Sequence, residues 1–527
     1  MFVVLYYINN KKNIKLLKIN RLLILTLFLA FGLVSAFGQN KGKKSHYAVA
    51  LSIDSVTYQL LHQSNTLSYC RHDMLILKDY PKFSQQLVSY FENNGFPFVE
   101  VRLDSLEMGE EQATATLVVD KHEYVVFDSI IVSGDAKLSK AYLYPYLGWR
   151  RKKGFKESVV SEIPSKISEL PFVTEAAPSS IEFVNDKCYL YLYLNKRKCS
   201  QFDGYIGIVP VDERTGKVSL NGELNLDLRN LFKIGERMAV QWRSTERYSQ
   251  NLTVSLNFPY LFRTPLGVDG QFLLDKKDTS YLNMNYLIGL QYSFMGNSYA
   301  KAYFDYTTSR VLAVSALSPS SGLMDYNKSM YGIEFNIRKL DYVYNPRKGI
   351  SFLINGSVGR RKIVKNAKAE ESLYKGLEMR STTYRLQANL TGYIPLHKRW
   401  VMVLGVDGGT MFGKSHYLNE LYRIGGMNSL QGFNENALYC SSYAIALTEL
   451  RFLFARRSYI NAFFNGAWYE RRVPDNYYHD LPFGFGLGLS FDTKAGMFYL
   501  SYALGQQKNS PISFKTGKIH FGVKVGF

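Results

Sequence analysis

The chain reads as a membrane all-β protein, an antiparallel transmembrane β-barrel of about sixteen strands preceded by two small α+β modules. Three observations predict this. A lysine-rich and then apolar N-terminal segment marks export. From about Phe202 onward, apolar and polar residues alternate at period two. The connections between the alternating segments are short on one side and long on the other.

The export segment comes first. Arg21 to Phe37 (RLLILTLFLAFGLVSAF) is an apolar run behind Lys11, Lys12, Lys15 and Lys18, and Ala36-Phe37-Gly38 has the small-x-small form of a signal-peptidase site. A signal peptide over residues 1–38 follows, with a mature chain starting at Gln39. An uncleaved anchor helix is the competing reading, but the run is slightly short for a span. No Cys follows it, so lipid attachment is not expected there. No later segment approaches the length of a membrane-spanning helix, so further membrane residence requires strands closed into a barrel.

The 527 residues exceed what one hydrophobic core usually serves, so at least two units are expected. The formal charge is +20, and the chain stays basic after the leader is removed. These cations are scattered through Tyr- and Phe-rich alternation and form no tract, which argues against nucleic acid and for an anionic membrane surface, that is, outer-membrane lipid. Cys70, Cys188, Cys199 and Cys440 show no C-x-x-C spacing and no neighbouring His at ligand spacing, so no metal site is expected. Cys188 and Cys199 could pair in an oxidising compartment or stay as thiols.

Residues 45–121 and 122–198 read as the two modules. In the first, Phe83, Leu87, Val88, Tyr90 and Phe91 recur at helical spacing and Asn94-Gly95 supplies a C-terminal cap. Strands follow at Phe98 to Leu103 and at Ala113, Ala115, Leu117 and Val119. The second repeats the pattern: a strand from Tyr124 to Val132, helical spacing at Leu138, Tyr142, Leu143 and Tyr146, a further helix from Ser158 to Leu170, and strands around Ile181 and Tyr189 to Leu194. Pro164 should break or restart that further helix.

Residues 199–527 read as the barrel, with strands near 202, 217, 235, 250, 266, 281, 298, 327, 349, 382, 399, 442, 458, 481, 495 and 517. Tight turns fall at Ile234-Gly235, Pro259 to Pro265, Met295 to Asn297, Asn345 to Gly349, His397-Lys398, Ala455 to Arg457 and Thr493 to Gly496. Long polar connections fall at Arg361 to Arg380, Gly413 to Ser441, Glu470 to Asp480 and Gly505 to Gly517. Short periplasmic turns opposite long external loops place both termini in the periplasm. The last strand sets Ile519, Phe521, Val523, Val525 and Phe527 outward; Phe521, Val523, Val525 and Phe527 form a C-terminal assembly signal.

Motifs sit at matching places on this frame. Gly425-Gly426-Met427-Asn428-Ser429-Leu430-Gln431-Gly432-Phe433 resembles the G-G-x-x-S-[VL]-R-G-[FY] loop of the bacterial surface antigen family, the BamA/TamA-type outer-membrane assembly factors. Glu449-Leu450-Arg451-Phe452 resembles its E-[YL]-R strand, Phe463-Phe464-Asn465-Gly466 its F-[FV]-D-x-G strand, and Asn345 to Gly349 its P-[RT]-x-G turn. The two modules are similar to POTRA repeats, the first more weakly. The resemblance implies a protein-insertion or protein-transport factor without catalysis or cofactor. POTRA modules would receive unfolded outer-membrane or secreted clients, with periplasmic accessory proteins as further partners, and the barrel would assist insertion at a weak seam between its first and last strands.

The departures are paired. Gln431 stands where the family has Arg, and Asn465 where it has the Asp that this arginine approaches in the lumen. Loss of both charges is consistent with a retained neutral contact between the lumen loop (Gly425, Gly426, Ser429, Gln431, Gly432, Phe433) and the wall (Glu449, Arg451, Asn465). Two other readings remain, a two-partner-type secretion pore and a surface antigen without insertase activity. No catalytic site is expected: Gly484, Gly486 and Gly488 alternate along a strand with no phosphate-binding helix after them, and no H-E-x-x-H or G-x-S-x-G occurs.

Overall fold

The computed structural model describes residues 4–7, 48–52, 58–59, 62, 70–71, 74–76, 79–108, 113–212, 217–244, 248–313, 317, 322–342, 345–367, 369–413, 415–427, 429–455, 458–474, 476–493, 496–508 and 512–524. The apolar run Arg21 to Phe37, the Gln39 junction, Val525 and Phe527 lie outside these residues, and Val523 is described in its backbone alone. The chain divides into two compact units. One comprises Met1–Ala136, Gly148–Ile167 and Glu175–Asn195, and the other Lys137–Leu147, Ser168–Thr174 and Lys196–Phe527.

In the first unit, β1 (Val4–Tyr7) precedes a five-stranded sheet of β2 (Ala48–Ser52), β3 (Cys70–Arg71), β4 (Met74–Ile76), β5 (Glu100–Met108) and β6 (Ala113–Asp120), in the order β3-β4-β2-β6-β5. The helix α1 (Tyr80–Glu92) buries Phe83, Leu87 and Phe91 against Ala113, Ala115 and Leu117 of β6. The i, i+4, i+8 spacing gives one helical stripe, and period two gives one strand face, so the two patterns meet as a core.

The second module runs β7 (Val126–Ser133), α2 (Lys140–Leu147), α3 (Glu157–Ser168), β8 (Val173–Val184) and β9 (Lys187–Lys196), with β9 between β8 and β7 and β1 on the far side of β8. Pro164 does not break α3, which continues to Ser168. The proline removes one bond to the preceding turn, but Ile163 and Ile167 on either side of it are buried and hold both turns in place. The Asn93 side chain, just past α1, accepts the Ser158 N–H at 3.0 Å from the first turn of α3. Burial, and then the like charge of Glu92, pushes the neighbouring Glu157 carboxyl up to about 7. Cys188 and Cys199 are both buried free thiols and do not pair.

The second unit is dominated by a seventeen-stranded antiparallel sheet. Its strands are β10 (Gln201–Asp212), β11 (Lys217–Arg229), β12 (Arg237–Ser244), β13 (Gln250–Phe258), β14 (Leu266–Lys277), β15 (Tyr281–Met295), β16 (Ser298–Val311), β17 (Tyr326–Leu340), β18 (Gly349–Ile363), β19 (Arg380–Pro395) and β20 (Trp400–Phe412). After a small hairpin of β21 (Tyr422–Ile424) and β22 (Leu438–Cys440) come β23 (Ser442–Ala455), β24 (Ser458–Val473), β25 (Asn476–Asp480), β26 (Phe483–Thr493), β27 (Gly496–Gln506) and β28 (Lys518–Lys524).

Both β25 and β26 pair with β24, through Tyr469↔Asp480 and Gly466↔Phe483, so they are halves of one stave and the wall has sixteen. Glu470 to Asp480 is therefore largely an extension of two paired strands, Tyr469 to Val473 against Asn476 to Asp480, and not the polar loop its composition suggests. Outward side chains along the staves are apolar and exposed, as at Ile288, Leu290, Tyr331, Ile333, Leu487, Ile519 and Phe521. Inward ones form polar networks: Lys301 pairs with Asp269 (3.3 Å) and Glu334 (3.0 Å), and Asn257 bridges Asp269 and Gln291. An apolar exterior around a hydrogen-bonded polar interior is what a lipid-embedded barrel requires.

Candidate functional site

The segment between β20 and β23 leaves the long-loop end of the barrel and packs against the inner wall. Its residues Ile424, Leu430, Phe433 and Cys440 share one buried cluster with wall residues Tyr443, Ile445, Ala467 and Tyr469. Gly425 and Gly426 both take positive φ, a turn that Ser429 closes by accepting the Gly425 N–H (2.8 Å) and donating to the Gly425 carbonyl (3.0 Å). Gly432, at φ +98°, sits so close to β27 that an added Cβ would lie 2.8 Å from the Leu504 carbonyl oxygen. On β26, a Cβ at Gly484 would collide with the Gln431 carbonyl. Of the alternating glycines of β26, Gly484 thus makes room for the loop backbone, while Gly486 and Gly488 lie against Phe463 and Asn461 of the neighbouring strand, so a pattern that superficially suggests phosphate binding reflects close packing.

Asn465 is the wall residue that receives this loop, and it is fully buried. Its Nδ2 donates to the Gly484 carbonyl at 2.8 Å and to the main-chain carbonyl of Gln431 at 3.4 Å. The two side-chain amides do not bond each other: Gln431 Oε1 and Asn465 Oδ1 are both buried without a partner. The expected loop-to-wall contact therefore runs from side chain to backbone.

Glu449 and Arg451 are elsewhere in function. Two residues apart, they share one face of β23 and form a bidentate pair, with both N–O distances at 2.9 Å. The Arg451 guanidinium lies over the Tyr459 ring (4.6 Å) and donates to Asn345 of the Asn345 to Gly349 turn at 3.3 Å. They brace the short-turn end of the wall, and their bonds do not reach the loop motif. Phe521, on β28, faces outward, with Val523 following it on the same strand.

A second anchor, invisible as a motif, holds the base of the same loop. Lys328 of β17 and Arg361 of β18 are direct cross-strand partners, two buried cations opposite each other. Like charges in that position repel. Glu420 of the loop enters between them: its carboxylate meets the Arg361 guanidinium at 2.5 Å and Lys328 Nζ at 3.8 Å, with His416 Nδ1 at 3.7 Å. It also accepts the Tyr417 N–H at 3.0 Å. Burial raises the Glu420 carboxyl, but the Arg361 charge, the His416 hydrogen bond and Lys328 outweigh it and hold the group well below the ordinary carboxylate range. The neighbouring Asn419 donates to Ser309 Oγ and the Met324 carbonyl, and Arg423 pairs with Asp275 at 2.8 Å. The opposed cations of β17 and β18 were the one sequence signal of this anchor. They escape notice when Arg361 is assigned to a connection and not to the end of a strand.

A family model described as the Omp85 superfamily domain matches residues 230–523, from the turn after β11 into the last strand of the barrel. The chain belongs to the Omp85 superfamily, outer-membrane barrels of protein insertion and translocation. Among solved structures it is similar to CdiB from Escherichia coli, with 13% identity, 98% of this chain and 100% of that one covered, and a TM-score of 0.56. CdiB from Acinetobacter baumannii gives 12% identity, coverage of 96% and 98%, and the same TM-score of 0.56. BamA from Haemophilus ducreyi lacking POTRA domains 1-3 aligns at 15% identity over 92% of this chain and 99% of that chain, with a TM-score of 0.45. No match is found among curated proteins. Within this Omp85 barrel the inward loop thus carries two anchors, a neutral one at Asn465 and an ionic one at Glu420.

Proposed function

We propose that this Omp85 protein assembles or inserts client proteins into the outer membrane, its N-terminal modules receiving unfolded chains in the periplasm as POTRA repeats would, and its barrel assisting at the junction of first and last staves. The observation that carries this is at the ends of the sheet. β10 and β28 come within 8 Å between Cα atoms, yet among the described residues no ladder register joins them. Among the described residues, parting these staves breaks fewer main-chain hydrogen bonds than parting any other adjacent pair.

The inward loop supports the same reading against a secretion pore. Passage through the lumen would require displacing a buried apolar cluster and a buried ion network together. Lateral release requires neither. The proposed role needs no catalytic residue. Depletion followed by outer-membrane proteomics tests the function: several unrelated barrel proteins should decline together. Loss of a single secreted protein would favour a dedicated pore, and an unchanged membrane would favour a surface antigen.

A further inference from the structure

Two neighbouring short turns of the barrel each carry a Leu-Phe pair followed by a basic residue, Leu231-Phe232-Lys233 between β11 and β12 and Leu261-Phe262-Arg263 between β13 and β14. A large apolar residue on a turn normally folds back onto its own protein. Here Phe232 is 62% exposed and Phe262 93% exposed, and Lys233 and Arg263 beside them are exposed as well. The backbone of these turns is unusual as well, for Lys233, Phe262 and Arg263 all take positive φ, which bulky residues rarely adopt.

Both turns are held from within. The Glu236 carboxylate, itself buried, accepts the N–H groups of Phe232 (2.7 Å) and Ile234 (3.3 Å), and Asn230 accepts that of Gly235 (3.0 Å). Tyr260, one step before Leu261, is buried against the rings of Tyr142 (5.4 Å) and Tyr146 (6.3 Å) of α2. The tyrosines fill the inner side, so the phenylalanines can only point away. The exposed apolar belt of the same staves, at Val240, Leu256 and Leu266, runs down to these turns.

We propose that the two turns are an interfacial lipid-binding device, which seats Phe232 and Phe262 at the boundary of headgroups and acyl chains in the periplasmic leaflet while Lys233 and Arg263 engage the phosphates of anionic phospholipids. Continuity with the lipid-facing belt selects a membrane over a protein partner, and adjacent basic side chains match anionic headgroups. The device lies on the first staves, so it tethers the bilayer on one side of the barrel. The inference rests on the outer-membrane reading of the barrel.

The test uses the full-length chain with Cys70→Ser, in which Cys188, Cys199 and Cys440 are buried. Phe262→Cys or Phe232→Cys is labelled with an environment-sensitive fluorophore, Ile288→Cys in the belt serves as control, and each protein is reconstituted in phosphatidylcholine vesicles with or without phosphatidylglycerol. The label at 262 should be quenched by lipids bearing a nitroxide near the headgroup and shielded from iodide, and the label at 288 by a deeply placed nitroxide. Lys233→Gln with Arg263→Gln should reduce quenching at 262 about two-fold in phosphatidylglycerol vesicles and leave 288 unchanged. A label at 262 that stays open to iodide while 288 is quenched overturns the proposal and spares the barrel. Shielding at 262 that requires added unfolded polypeptide makes the turns a protein-docking face and overturns it too. If 288 also escapes quenching, the membrane placement itself has failed and the proposal falls with it.

Discussion

Glu420→Gln should destabilise the barrel by about 3–5 kcal/mol, because it leaves Lys328 and Arg361 as facing, buried and unneutralised cations. The loop should leave the lumen as well, since a neutral amide at 420 can still accept the Tyr417 N–H but no longer attracts the two wall cations that hold it there. The sign of the pH dependence follows from the carboxyl being held down in the folded state. The native advantage over Glu420→Gln is fully present above the ordinary carboxylate pKa, and it declines as the pH falls through that range toward the lower folded value. Replacing Lys328 and Arg361 by Met in the Glu420→Gln background removes the repulsion and should recover most of the loss. Urea unfolding of the four proteins in detergent, with protease access to residues 425–437, measures both effects. An unchanged midpoint for Glu420→Gln would mean that the network contributes nothing to holding the loop.

The second large effect is at Asn465. Asn465→Asp alone should cost about 3–5 kcal/mol, because an unpaired carboxylate would replace a fully buried amide whose donor meets two main-chain carbonyls. A screened, partly wet lumen would soften this penalty, but Asn465 is fully buried. Gln431→Arg alone should cost less, about 1–3 kcal/mol, since Asn465 Oδ1 is an unused acceptor beside it. The double substitution recreates the family's ion pair and should recover most of what Asn465→Asp loses. A double-mutant cycle on barrel melting reads the coupling. Simple additivity would show that the side chains at 431 and 465 do not interact even when charged, and the contact would then belong to the Gln431 backbone alone.

How much of this could be read in advance depends on whether a feature is local. Period-two alternation and turn length are local, and the strands anticipated near 202 through 517 match all sixteen staves. The stripe Phe83, Leu87, Phe91 likewise gave its helix and its buried face directly. Pro164 misled because packing of Ile163 and Ile167, a tertiary effect, overrides local helix breaking. Glu470 to Asp480 misled because polar composition does not separate an external loop from a hairpin that continues above the membrane. In the candidate site, Gly425, Gly426 and Gly432 announced a tight backbone approach, and Asn465 its wall partner. That Asn465 binds the Gln431 backbone and not its side chain depends on sub-ångström placement that no spacing encodes. Glu420 was out of reach for another reason: its partners Lys328 and Arg361 are distant in sequence and meet only through the register of β17 and β18.

The central claim is that the junction of β10 and β28 is the working part of this barrel and the lumen is not. The most direct measurement is insertion of an unfolded barrel client by the reconstituted protein carrying an engineered disulfide that joins β10 to β28, compared with one that ties residues 431–432 of the loop to β26. Locking the junction should abolish insertion, with full recovery on reduction, while tying the loop in place should leave insertion unchanged. Insertion that survives the locked junction but stops when the loop is tied would contradict the account and establish a route through the lumen.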